Sequence, residues 1–312
     1  MGTQFHLEGH ILNSRDDFRF LCIGEILWDE LPDGLYLGGA PYNVAVHLRQ
    51  LGREVDLISR VGKDEPGRQA LEEVQKAGLN QAYIQQDFRY PTGIVKIKLD
   101  DQGNAVYDIG APAAWDFLES DKELISLAQK SDIFIYGSLA QRSPRSRQTI
   151  RALLPYSKMN VFDMNLREPY YDWDTIKELL EGADLIKLNE QELQKLARWQ
   201  GWPKDDPGRS VTNLAEKFNC ASICLTRGER GVLLYDQGIR AEHPGFAVSV
   251  VDSVGAGDAF LAGLLHALMN HETPQSALTL ANALGAFVVG QKGATPVLNM
   301  QFIRRLTNRD KI

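Results

Sequence analysis

Short apolar runs and amphipathic stretches alternate along most of the chain. F-R-F-L-C-I-G (18–24) predicts a buried strand, and P-Y-N-V-A-V-H-L-R-Q-L-G (41–52) a helix with Pro in its first turn and Gly at its end. V-D-L-I-S-R-V (55–61) predicts a strand, followed by a helix near 66–77. The rhythm returns with strands at 132–137, 160–165 and 184–189, separated by helices near 144–153 and 174–181. Strands at 222–226 and 231–235 and two strongly apolar helices near 257–270 and 275–290 complete it. Strands and helices at this spacing predict an α/β fold, a three-layer, doubly wound, mainly parallel sheet covered on both faces.

One segment departs from the rhythm. T-G-I-V-K-I-K-L-D-D-Q-G-N-A-V-Y-D-I (92–109) alternates with period two around a polar turn, the signature of a hairpin. With W-D-E-L-P-D-G-L-Y-L-G-G (28–39) it predicts a small sheet standing off the main one, a lid over a cleft with segments near 28–39 and 90–110. Residues 1–16 read as a polar tail, and 17–312 as one domain carrying the lid.

Composition narrows the function. The net charge of -7 comes without a basic block, which argues against nucleic acid and anionic membranes. Cys22, Cys220 and Cys224 each fall in an apolar run and lack the partners of a metal site, so they are expected as inert core thiols. Neither a long apolar run nor a signal-peptide pattern is seen, and the expected location is cytoplasmic.

The candidate chemistry lies in V-D-S-V-G-A-G-D-A-F (251–260), where a strand-like start crosses two glycines and an acid into an apolar helix. A helix start presents unpaired N–H groups and partial positive charge. Gly255 and Gly257 would let those amides approach an anion without a Cβ in the way. Asp258 beside such a hole makes sense if it takes a proton from a hydroxyl while the amides stabilise a transferring phosphoryl group. The bland alternative is an Asp that merely caps the helix. No Walker loop, dinucleotide fingerprint or protein-kinase element is present.

These residues carry a resemblance. V-D-S-V-G-A-G-D-A-F, L-G-G-A-P-Y-N-V-A (37–45), K-L-N-E-Q-E (187–192), L-T-R-G-E-R-G (225–231) and Q-K-G-A (291–294) occur in the order seen in the ribokinase-like (PfkB) carbohydrate kinases, and most resemble the fructokinase form. The resemblance implies transfer of the γ-phosphoryl group of ATP to a sugar hydroxyl. Asp258 would be the base, and the N–H groups of Gly255, Ala256 and Gly257 the anion hole. Asp29, Gly38, Gly39, Asn43, Asn165 and Arg167 would bind the sugar. Asn189, Thr226, Gly228 and Asn282 would contact the nucleotide, and Glu192 would hold Mg2+ through water. Asp252 with carbonyls of Val254, Val288 and Gly293 would hold K+ behind the hole.

Three departures bear on the expectation. Tyr42 replaces a small residue and is expected to alter the sugar pocket, Ser253 replaces a Thr, and Ala40-Pro41 argues against ribose. Fructose is the expected acceptor. Another small sugar or keto sugar acid such as 2-keto-3-deoxygluconate is the closest rival, and a non-catalytic sugar sensor the distant one. The partners expected are sugar and ATP, with a homodimer through the lid sheet.

Overall fold

The computed structural model describes residues 18–31, 34–99, 105–202 and 206–309. The expected tail and the D-D-Q-G-N turn of the lid lie outside them. The chain runs from β1 (Arg19–Ile23) through a hairpin of β2 (Leu27–Leu31) and β3 (Gly34–Gly38) into α1 (Ala40–Gln50). Next come β4 (Glu54–Gly62), α2 (Glu65–Lys76), β5 (Ile84–Asp87), a second hairpin of β6 (Gly93–Leu99) and β7 (Ala105–Ile109), and α3 (Lys122–Lys130). Then follow β8 (Ile133–Gly137), α4 (Pro144–Leu153), β9 (Met159–Asp163), α5 (Trp173–Glu181), β10 (Leu185–Asn189) and α6 (Glu190–Gln200). The last elements are α7 (Pro207–Phe218), β11 (Ser222–Thr226), β12 (Val232–Asp236), β13 (Ile239–His243), α8 (Ala256–Met269), α9 (Pro274–Val289) and α10 (Met300–Arg309).

Among the described residues nine strands form one sheet in the order β13-β12-β11-β10-β9-β8-β1-β4-β5, and four form a second in the order β3-β2-β6-β7. The large sheet is parallel except at β12 and β13. Its two faces are visible in β1 alone. Phe20 and Cys22 pack with α1, α8 and α9, whereas Leu21 and Ile23 pack with α4, α5 and α6. A strand apolar on both sides must be covered on both sides, and the three layers follow. All three cysteines are buried and free, and burial pushes their thiols up.

The expected elements are present. Edge strands β5 and β13 and helices α3, α6, α7 and α10 were not predicted, because their exposed positions dilute the apolar pattern. The small sheet stands at the carboxyl edge of the large one, with β2 parallel to β6 and both hairpins antiparallel.

Helix starts differ in a way that matters for chemistry. Asp64, Asp121, Asp172, Asn189 and Asp206 each accept a backbone N–H with the side chain and so cap α2, α3, α5, α6 and α7. At α8 the cap is Gly255, in the left-handed region at φ 76° and with no side chain to offer. The amides of that turn are left for something else.

Candidate active site

A cavity of about 310 Å3 opens at the carboxyl ends of the central strands, under the lid. Parallel sheets place ligands there, because strands end and helices begin around one point. Its floor is built by β9, β10 and the start of α8. Asp258 is buried, and its Oδ2 accepts a hydrogen bond from Asn43 Nδ2 at 2.7 Å. It therefore does not cap its own helix, and the bland reading of G-A-G-D falls away.

The turn at the start of α8 is set by close packing. A Cβ on Gly255 would come within 2.6 Å of Ala294 backbone, so only glycine lets the 291–294 loop close behind the turn. The Ala256 N–H reaches Ser253 O at 3.4 Å, and that of Asp258 reaches Gly255 O at 3.1 Å. Gly255 and Gly257 both line the cavity. Ala256 itself does not line it.

Lys187, which the motifs did not single out, lies directly beneath. Its Nζ donates to both oxygens of Asp163, at 2.8 and 2.9 Å, and would stand 3.3 Å from a Cβ on Gly257. Burial pulls the ammonium pKa down, but Asp163, Asp258 and Glu192 hold it above its ordinary value. A charge so held stays positive beside the Gly257 turn. Burial and the nearby Asp163 raise Asp258 to about 6, with Lys187, Asn43 and Arg167 opposing. The signal available in the sequence was a lysine inside the apolar strand run D-L-I-K-L-N, since a charge there must find a partner.

On the lid side, Asp29, Gly39, Asn43, Asn165 and Arg167 all line the cavity. Gly38 stands just behind, where a Cβ would meet Asp29 Oδ2 at 2.6 Å. Glu25, also missed, lines the same wall and receives the Ala40 N–H at 3.3 Å. Burial pushes Glu25 to about 7 and Asp29 to about 6, and Arg167 lowers both. Tyr42 is a correction. It does not reach this wall, because the next helical position, Asn43, faces the cavity. Tyr42 instead lines a separate cavity of about 520 Å3 behind β2, with Trp28 and Thr295.

On the β10–β11 side, Asn189, Glu192 and Thr226 line the cavity. Asn189 and Glu192 also form a reciprocal capping box at α6, and Glu192 Oε1 accepts the Leu166 N–H at 2.7 Å. Gly228 is exposed at the rim, and Asn282 turns its amide back to Leu278 O at 2.7 Å, outside this cavity. Asp252 accepts the N–H groups of Val254 and Gly293, at 3.0 and 3.2 Å, and so ties the two loops of the hole together. The Val288 carbonyl accepts the Gln291 N–H at 2.9 Å. Among the described residues no three His, Cys, Asp or Glu side chains converge as a metal cage.

Comparison with known proteins decides the family. Residues 33–300 match the family model described as pfkB family carbohydrate kinase. The chain belongs to that family. Fructokinase of Escherichia coli is 31% identical over 295 residues, spanning 88% of this chain and 94% of the relative. A fructokinase from Vibrio cholerae solved with fructose, ADP and calcium ion superposes with a TM-score of 0.81 at 26% identity, over 94% of this chain and 100% of that one. The fold alone is shared with a Xylella fastidiosa fructokinase solved with ATP, at a TM-score of 0.82 and 23% identity over 94% and 99% of the two chains. No helix among the described residues is long and apolar enough to cross a membrane.

Proposed function

We propose that this carbohydrate kinase uses ATP and phosphorylates D-fructose at its 6-hydroxyl, with Asp258 as general base. The observation that carries the reading is the pairing of a buried carboxylate with an uncapped helix start. Asp258 is fixed on one oxygen by Asn43, which leaves the other to accept the acceptor hydroxyl's proton. As the oxygen attacks the γ-phosphorus, the N–H groups of Gly255 and Gly257 and the charge of Lys187 stabilise the equatorial oxygens, and ADP leaves in line. Magnesium carried in with ATP would neutralise the phosphates, oriented through water by Glu192 and by Asn189. Potassium would act by tightening the loops that Asp252 already joins, and rates in potassium against sodium chloride would show it.

A neutral sugar suits this wall better than a keto sugar acid. Glu25, Asp29 and Asp258 share it, Arg167 is drawn toward all three, and Lys187 is already held by Asp163. A substrate carboxylate would enter against that balance. A sensor without catalysis is disfavoured by the same geometry, since a mere sugar receptor has no use for the anion hole. The half-exposed Leu35 on β3 marks the outer lid face through which two copies would pair.

An ADP-release screen tests the assignment. Turnover should be highest with fructose and at least about tenfold lower in kcat/KM with ribose, 2-keto-3-deoxygluconate and nucleosides, the difference of one lost polar contact set. A preference for the keto acid would overturn the substrate, and turnover of none of them the whole reading.

A further inference from the structure

One fastening of the lid to the body lies at the end of β7. Ile109 ends β7, and its carbonyl accepts the Tyr170 hydroxyl at 2.9 Å and Arg142 Nη1 at 3.3 Å. The next carbonyl, Gly110, accepts Arg142 Nη2 at 2.8 Å. Arg142 itself cannot wander. Its Nε and Nη2 each meet the Asp116 carboxylate at 2.8 Å, and its guanidinium lies 3.9 Å over the Trp115 ring and 4.9 Å over that of Tyr170. Both partners of the pair are nearly buried, with side chains 7% and 6% exposed. An ion pair taken so far out of water contributes orientation more than net stability. What it orients is the backbone at the root of the lid.

Tyr170 continues this anchorage toward the chemistry. Its N–H donates to the Arg167 carbonyl at 2.8 Å, so it closes the short turn that carries Arg167. Ile109 and Arg167 both line the active cavity. A route therefore runs from the Ile109 carbonyl through the Tyr170 side chain and backbone to the carbonyl of Arg167, and neither the base nor the anion hole uses it.

We propose that Tyr170 is a positioning residue, coupling the seating of the lid strand to the placement of Arg167, with Arg142 as the fixed post against which the lid root is held. The inference rests on the sugar-kinase reading above. When β7 settles over a bound sugar, the Ile109 carbonyl carries the Tyr170 hydroxyl with it. The turn then sets Arg167 against the acidic wall and the incoming phosphate. With the lid unseated, Arg167 is out of register and transfer to the sugar is slow.

The test is a double-mutant cycle, which isolates coupling from general damage. Tyr170→Phe removes only the hydroxyl and is expected to lower kcat about threefold to tenfold, the equivalent of one hydrogen bond, with KM for ATP little changed. In an Arg167→Ala background the same change should lower kcat by less than about twofold, because the residue it acts through is gone. Arg167→Lys serves as the background if the alanine variant falls below detection. Equal losses in both backgrounds, or an unchanged kcat in Tyr170→Phe, overturn the coupling. A parent protein inactive on every sugar overturns instead the reading beneath it, so the two failures are distinguishable.

Discussion

The floor of the cavity and its lid are built on opposite principles. On the floor, Asp163, Lys187, Asn43 and Asp258 are all buried, and the hydrogen bonds that hold them run to one another. They project from two central strands and from two helices, α1 and α8, packed on the sheet, so their positions are set before any ligand arrives. The lid strands β2 and β3 are half exposed, and β7 is tied to the body through backbone carbonyls at its root. A fixed floor suits stabilisation of a transition state, where reorganisation would cost rate. A hinged cover suits admission of a sugar and exclusion of water. The contrast predicts that floor changes act on kcat and lid changes on KM.

One break of the floor is Lys187→Met. It removes the charge under Gly257 and leaves Asp163 buried without its partner. The expected loss is about 10²–10³-fold in kcat, with about 3–5 kcal/mol of unfolding free energy lost alongside. Steady-state kinetics and urea unfolding measure both, and a variant with normal kcat would remove Lys187 from the mechanism. Replacing 94–108 by a short Gly-Ser linker tests the other region. KM for sugar should rise about tenfold or more while ATP hydrolysis without sugar appears, since the cover no longer excludes water. An unchanged KM would mean that the small sheet does not hold the sugar.

How much of this was legible in the sequence differs by region for a physical reason. Gly255, Gly257, Asp258, Gly39 and Asn43 stand in local motifs, because a tight turn and a helix start need particular residues at particular spacings. The lid hairpins were legible through their period of two. Lys187, Asp163 and Glu25 were not, since what makes them functional is proximity between distant strands, and each alone reads as a break in an apolar run. Tyr42 was misread for the converse reason. Its place in a motif suggested a pocket wall, but one step along a helix turns a side chain by about 100° and carries this one to the far side of β2.

Smaller effects sharpen the account through pH. Asp258 must be ionised to act, so kcat/KM for sugar should fall tenfold per unit as pH drops below about 6. Stability runs the other way. A carboxyl raised above its unfolded value near 3.9 stabilises the fold fully below that value, and this contribution is lost as pH rises through about 6. Asp258→Asn should therefore raise Tm at pH 8 by roughly 2–4 °C and leave it unchanged near pH 4. A lower Tm at pH 8 would show that Lys187 and Asn43 outweigh the cost of burial.

The most direct measurement is turnover of Asp258→Asn beside its affinity for nucleotide and sugar. Asparagine keeps the shape and the contact with Asn43 but cannot take a proton. The account predicts a fall in kcat of about 10²–10⁴-fold with both ligands bound as before. A variant that phosphorylates sugar within a factor of about ten of the parent, at saturating substrates, would contradict it.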